Sequence, residues 1–384
     1  MTLSLRACRL LVLLFSVGGA QAEPITASSC GQQGDWVTPL RGGVVRLDPV
    51  ALLTDLARHQ VVLLGERHDS AEDHRWQLHT LARLQAYRPR LAIALEMLPR
   101  RLQGVLDRWV AGELSETAFL AQVEWRRVWG FDPALYLPML HFARMHRLPL
   151  LAVNVERSLV DEVGREGWQK VPEERREGVG TPAPPTPGYL EELRQIHAHH
   201  PERGRGPDAF ARFVEAQTVW DRAMAQGMAD YLRAHPDTLV VGILGAGHVR
   251  SGHGVAHQLK ALGVERVAGL MTWDLKQGCM DMRPGLADAL FLGHPLADNP
   301  PRLGIAMGME GTSVLVSGVQ PGSVAERAGL RTGDRLLEMA GRPVLGVEDV
   351  RGMVQRQVPG TWLPLRVRRG DGEQELVARF PLEP

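Results

Sequence analysis

The sequence predicts an α/β protein: a mainly parallel sheet flanked by helices, with a helical insertion, followed by a small mainly-β domain. Three observations predict it. Short runs of β-branched and aliphatic residues alternate with longer stretches of helical period, as where Val61–Leu64 gives way to an amphipathic pattern from Asp69 to Tyr87. Two such runs end in glycine turns, Leu64-Gly65-Glu66-Arg67-His68-Asp69 and Leu244-Gly245-Ala246-Gly247-His248, each with a histidine three residues after a glycine. From Arg302 onward the pattern changes to short strands punctuated by Gly and Pro.

At the N-terminus, Arg6 and Arg9 precede the apolar run Leu10 to Val17, and small residues follow, ending Ala20-Gln21-Ala22. This reads as a secretory signal over residues 1–22, too short to span a bilayer, and predicts an exported, periplasmic chain. No lipid anchor is expected, because Cys30 lies too far beyond the apolar run. Cys8 leaves with the signal. Cys30 and Cys279 remain, and an exported pair can either form a disulfide or stay as two thiols.

After Val61–Leu64 and its helix, Leu91 to Met97 is a second strand with Glu96 near its end. Two or three helices are expected from Arg100 to Arg147, then a third strand over Leu148 to Val155. Leu239 to Leu244 and Val264 to Met271 supply two more. Strands separated by helices indicate right-handed parallel βαβ units, giving an α/β domain over residues 23–298.

The stretch Gly178 to Gly188 holds too many Pro and Gly residues for regular structure, and is expected to be either a mobile hinge or a linker. A long amphipathic helix follows from Pro207 to His235. A Pro-containing junction from Gly293 to Pro301 then separates the α/β domain from a second domain over residues 302–384.

The 384 residues carry 44 basic and 44 acidic side chains, so net charge points neither to nucleic acid nor to an anionic membrane. In an open α/β sheet, turns at the carboxyl ends of strands are where ligands collect, so His68 and His248 are read as parts of one site. Glu66 and Glu96 lie on the same rim. Each also has a plain structural reading, as a solvated helix cap or a half-buried side chain.

The C-terminal segment, with Gly304-Ile305-Ala306-Met307, Val314-Leu315-Val316, Gln320 to Leu330 and Gly333 to Glu338, resembles a PDZ domain of the HtrA protease type. The resemblance implies that an extended peptide or chain terminus from another exported protein adds to the sheet edge beside Leu303, Gly304, Ile305, Ala306 and Met307. Ile305-Ala306-Met307 departs from the usual apolar-Gly-apolar ending of that loop. No Gly-Asp-Ser-Gly nucleophile accompanies the module, which argues against a protease of that class.

The α/β segment resembles ChaN-type haem-binding proteins, a group within a superfamily that includes Tiki and TraB proteins and erythromycin esterases. The residues carrying this resemblance are Gly65 to Asp69 with His74, Leu95-Glu96-Met97, Tyr136-Leu137-Pro138 before Phe142-Ala143-Arg144, and Gly245 to His248. It implies an exported protein that binds haem, often as a cofacial pair across a homodimer, in iron uptake, storage or sensing. On that basis Glu66, His68, Glu96, Tyr136 and His248 are the candidate haem-binding residues, with His68, His248 and Tyr136 as candidate iron ligands. Neutral imidazole and phenolate oxygen both suit iron, and a ligating imidazole needs a partner on its other nitrogen.

Two other readings use the same residues. In a hydrolase, His68 acts as general base, Glu96 orients or polarises and His248 stabilises developing charge; no Gly-x-Ser-x-Gly elbow supplies a covalent nucleophile, so water would be activated directly or by a metal. In a periplasmic scaffold, the PDZ module recruits a partner and the α/β domain senses a ligand.

Overall fold

A computed structural model describes residues 30–199, 208–293 and 301–382 of the chain. The expected signal at 1–22 and most of the expected junction, residues 294–300, lie outside the described residues. The first unit runs β1 (Trp36–Leu40), β2 (Gly43–Leu47), α1 (Pro49–Leu56), β3 (Val61–Glu66), α2 (Ala71–Tyr87) and β4 (Leu91–Pro99). Helices α3 (Gln103–Ala111), α4 (Glu116–Gln122), α5 (Trp125–Val128) and α6 (Pro133–His146) lead to β5 (Leu150–Asn154). Then come α7 (Arg157–Glu166), α8 (Pro187–Ala198) and α9 (Ala209–Ala234), followed by β6 (Leu239–Gly245), α10 (Ala246–Val249), α11 (Val255–Ala261), β7 (Val267–Asp274) and β8 (Ala289–Gly293).

The eight strands form one sheet in the order β2-β1-β8-β7-β3-β6-β4-β5. From β8 to β5 all neighbours are parallel, as the βαβ reading expects. Strands β1 and β2 form an antiparallel hairpin that extends the β8 edge, and neither they nor β8 were anticipated. No α-helix joins β1 to β2 or β7 to β8, so the alternation of strand and helix does not reveal them.

The central strands are apolar on both sides because both faces are covered. Val62, Leu64, Ile93 and Leu95 pack with Trp76, Trp109 and Tyr136 from α2, α3 and α6. Val61, Leu63, Ala92 and Ala94 pack with Met224, Met228 and Leu259 from α9 and α11 on the opposite side. Four helices, not two or three, occupy the β4–β5 connection.

The prolyl segment between α7 and α8 is irregular, as expected, but it is tied down and does not have the character of a hinge. Gln258 clamps Ala183 at both backbone groups (2.8 and 2.9 Å), and Gln226 does the same for Gly180 N and Gly178 O (2.9 and 2.8 Å). His257 Nε2 lies 2.8 Å from Pro184 O, and His253 Nδ1 lies 3.0 Å from the Thr186 hydroxyl. This strapping fixes where α8 starts.

Cys30 and Cys279 are joined as a disulfide, with Cα atoms 5.2 Å apart. The bridge anchors the N-terminal arm to the β7–β8 connection. None of the helices among the described residues is long and apolar enough to cross a membrane.

The second unit holds β9 (Ile305–Glu310), β10 (Ser313–Val319), α12 (Val324–Ala328), β11 (Arg335–Met339), β12 (Arg342–Pro343), α13 (Val347–Gln355), β13 (Trp362–Arg369) and β14 (Gly372–Arg379). It is all antiparallel, in the order β14-β13-β11-β10-β9, with β12 against β11 and its own core around Val316, Leu336 and Val367. Strand β9 is a sheet edge, and α13 packs beside it.

Candidate functional site

Strands β3 and β6 are neighbours, yet β3 feeds α2 on one face of the sheet and β6 feeds α10 and α11 on the other. Their connections diverge and leave a crevice beyond the carboxyl ends of the two strands. Both histidine turns open into it.

Glu66 ends β3 and is buried. Its Oε1 lies 2.7 Å from Nδ1 of His68, the partly exposed residue two positions on. The turn itself is rigid. Asp73 accepts from the Arg67 backbone N–H (2.9 Å) and from the Arg67 guanidinium twice (3.1 Å each), which ties that cation to the first turn of α2. Ser70 caps α2, and buried His74 reaches back to the His68 carbonyl at 3.2 Å. Gln77 holds His74 Nδ1 at 3.1 Å and donates to the Leu64 carbonyl at 3.0 Å.

The second turn repeats the device with a partner that the sequence analysis missed. His248 Nδ1 lies 2.7 Å from Oδ1 of Asp221, a fully buried carboxylate on α9, and Tyr189 of α8 donates its hydroxyl to Asp221 Oδ2 at 2.6 Å. The available signal was an acidic residue on the apolar face of a long amphipathic helix, a position that demands a buried partner.

Glu96 lies between the two rings. Its Oε1 is 3.6 Å from His248 Nε2 and 3.9 Å from His68 Nε2, and its Oε2 accepts the Gly245 N–H at 2.5 Å. Gly245 leaves room for the His68 ring: a Cβ there would sit 2.8 Å from His68 Cε1 and displace it. Both histidines therefore have Nδ1 committed to a carboxylate and Nε2 turned toward the same space. Among the described residues, no group of three or more His, Cys, Asp or Glu side chains is arranged to hold a bare metal ion.

Aromatic rings line the crevice. Trp129 and Phe131 lie 4.6 and 5.0 Å from the His68 ring, and Trp220 lies 5.1 Å from His248 while bonding Asn154. The electrostatics follow from burial among carboxylates. Burial pushes the Glu66 carboxyl up, opposed by the bond to His68. For His68, burial pulls the imidazole down, but the Glu66 bond and the Glu96 charge outweigh it and the pKa rises. For His248, burial again opposes the proton, and Glu96 with Asp221 carry the pKa up to about 9.

Of the five candidate residues in this unit, Glu66, His68, Glu96 and His248 meet directly. Tyr136 is placed differently from what a phenolate ligand requires. It is buried in α6 beneath the crevice, with its hydroxyl 3.4 Å from Glu66 Oε1 and 3.3 Å from the His68 carbonyl. Burial first, then the Glu66 charge, hold that hydroxyl protonated well above the ordinary tyrosine range. It sits there as a donor to the carboxylate. His253 and His257 strap the prolyl segment.

In the second unit, Leu303, Gly304, Ile305, Ala306 and Met307 line a groove of about 690 Å³ closed on its far side by Val350 and Val354 of α13. Gly304 has φ 82°, and a side chain there would run into Ser323.

Comparison with known proteins agrees with these two units. The family described as haem-binding uptake, Tiki superfamily, ChaN matches residues 52–259, more than half of the chain, and a PDZ domain matches residues 315–369. A solved structure of ChaN from Campylobacter jejuni with cofacially bound haem is similar over 67% of this chain and 95% of that one, with TM-score 0.51 and 17% identity, a likeness of fold. The magnetosome formation protease MamE of Paramagnetospirillum magneticum is 37% identical over 98 residues, which are 25% of this chain. The chain spans 13% of that protein's length. The HtrA3 PDZ domain bound to a phage-derived ligand is 25% identical, covering 20% of this chain and 82% of that one, with TM-score 0.19.

Proposed function

This chain belongs to the ChaN haem-binding uptake family of the Tiki superfamily, and from that premise we propose that it binds haem in the crevice between the β3 and β6 turns. The observation that carries the reading is the pair of imidazoles, His68 and His248, each with Nδ1 fixed by a buried carboxylate and Nε2 facing common space. An iron-ligating histidine needs that second-nitrogen partner to set tautomer and orientation. The aromatic rings of Trp129, Phe131 and Trp220 suit the flat apolar faces of a porphyrin. Bound ferric haem would supply a Lewis-acidic iron for a ring nitrogen; the chain's own part is to orient the two rings, hold their protons and shield the site from water.

Haemin titration of the purified protein tests this. A saturable shift of the Soret band, weakened in His68→Ala and in His248→Ala, is the expected result. A folded protein that gives no shift at micromolar concentration rejects it. The stoichiometry of the titration, with the mass of the loaded species in solution, reports whether two copies share a cofacial pair.

The PDZ domain is read as the recruiting module, taking an extended peptide or free C-terminus along the open edge of β9. Export to an oxidising compartment is supported by the signal-like residues 1–22 and by the Cys30–Cys279 bridge, since such bridges persist outside the reducing cytosol. Haem uptake, storage or sensing in that compartment is the corresponding role.

Hydrolysis is a second reading, favoured by one observation: a carboxylate on Nδ1 is also how a general-base histidine is oriented. A pKa near 9 makes His248 an acid at neutral pH, and His68, whose own pKa is raised despite burial by the Glu66 bond and the Glu96 charge, is the base of the pair as pH rises. Turnover of ester substrates lost in His68→Ala and indifferent to haemin favours this alternative.

A further inference from the structure

The PDZ domain does more than follow the α/β unit in sequence: its helix α13 lies against the segment that lines the crevice. Two ion pairs cross between the units. Arg126 of α5 pairs with Asp349, and Asp132, at the start of α6, pairs with Arg356 just past the end of α13. The two pairs grip opposite ends of the helix. Between them the approach is close: a Cβ on Gly352 would lie 2.5 Å from Asp132 Oδ2 and 2.9 Å from Asp132 Cβ, so a side chain there would displace Asp132.

These contacts enclose a cleft of about 360 Å³. Its α/β side is Asp69, Trp129, Phe131 and Leu135; its PDZ side is Glu348, Arg351, Gly352 and Gln355. Trp129 and Phe131 are the rings that flank His68, so α13 stands outside the aromatic wall of the candidate site. The opposite side of the same helix closes the peptide groove, and Arg351 and Gln355 line both spaces. A helix with a ligand groove on one side and a crevice wall on the other links the two mechanically, since packed elements shift as units.

We infer that α13 is a removable outer wall of the His68 crevice, docked by the Arg126–Asp349 and Asp132–Arg356 pairs, and that undocking it opens the Trp129–Phe131 flank to an incoming ligand. A chain end seated against Val350 and Val354 bears on this wall from behind, which places control of the crevice in the PDZ groove. By linkage, whatever favours the undocked state at one site favours it at the other. The consequence for ligand entry rests on the haem reading; the wall itself does not.

The test uses the full chain and two kinds of undocking variant. Arg126→Gln/Arg356→Gln removes the charges, while Gly352→Ala adds a methyl that displaces the Asp132 side chain from its place beside α13 and that favours helix. Amide exchange is followed over residues 129–135 and 347–355, and haemin association by stopped flow. Both variants are expected to exchange faster in both segments, by roughly three- to tenfold for two partly exposed pairs, and to bind haemin faster by a similar factor. Unchanged exchange over 129–135 in both variants overturns the wall. Faster exchange without any haemin binding rejects the haem reading and leaves the wall standing, and faster exchange with an unchanged association rate rejects its role in entry.

Discussion

Asp221 Oδ1 lies 2.7 Å from Nδ1 of His248, both groups buried, joining the middle of a 26-residue helix to the turn after β6. That contact decides which nitrogen of His248 faces the crevice and Glu96. Asp221→Asn keeps the shape and removes the charge, so the ring loses its fixed tautomer and part of its raised proton affinity. Haem affinity is expected to fall by about 10- to 100-fold, the usual consequence of losing a partner behind a metal ligand. A haemin titration of the variant, beside circular dichroism to confirm the fold, measures it.

Titration of His248 gives a pH signature for stability. Its folded pKa of about 9 lies above the ordinary imidazole value of 6.5, so its proton stabilises the folded state fully below pH 6.5. That contribution declines as pH rises toward 9 and amounts to on the order of 3 kcal/mol. Urea midpoints are expected to fall between pH 6.5 and 9 in the wild type, and to lose this component in His248→Gln. Because a ring nitrogen must shed its proton to ligate iron, haem affinity drawn from His248 should rise over the same interval.

Tyr136→Phe separates two roles for the hydroxyl. As a donor to Glu66 it contributes about 1 kcal/mol, so the variant should fold with slightly lowered stability and give an unchanged ferric haem spectrum. Loss of a charge-transfer band on substitution would instead make Tyr136 the iron ligand, reached by a rearrangement of α6.

The Cys30–Cys279 bridge closes a loop of 249 residues. Cys30→Ser/Cys279→Ser is expected to lower unfolding free energy by about 2–5 kcal/mol, because the unfolded chain recovers the entropy the bridge removes. Denaturant unfolding with and without reductant checks this, and the double variant should be insensitive to reductant.

In the PDZ domain, Ile305→Lys places a charge in the groove beside β9. C-terminal peptide display against the full chain should enrich apolar chain ends at micromolar-class affinity, and the substitution should abolish the enrichment. No enrichment by a folded wild-type chain would remove peptide capture from the domain's role.

The sequence by itself determined the parallel core of the sheet, the change of regime near residue 302, and four of the five α/β-unit candidates that meet at the crevice. Those are local signals: a strand buried on both faces is apolar at every position, and a Gly-x-x-His turn at a strand end is visible in a few residues. The β1–β2 hairpin and β8 escaped because no α-helix joins β1 to β2 or β7 to β8, so the strand–helix alternation that marks the parallel core does not mark them. Only tertiary structure decided that Asp221 and Tyr189 stand behind His248, since they arrive on helices whose packing is fixed by contacts distant in sequence. It likewise turned the Tyr136 hydroxyl toward Glu66, because a side chain's direction depends on how its helix is rotated against the sheet. The placement of α13 against Trp129 and Phe131 belongs to the same class: two units carry no local signal of the face on which they meet.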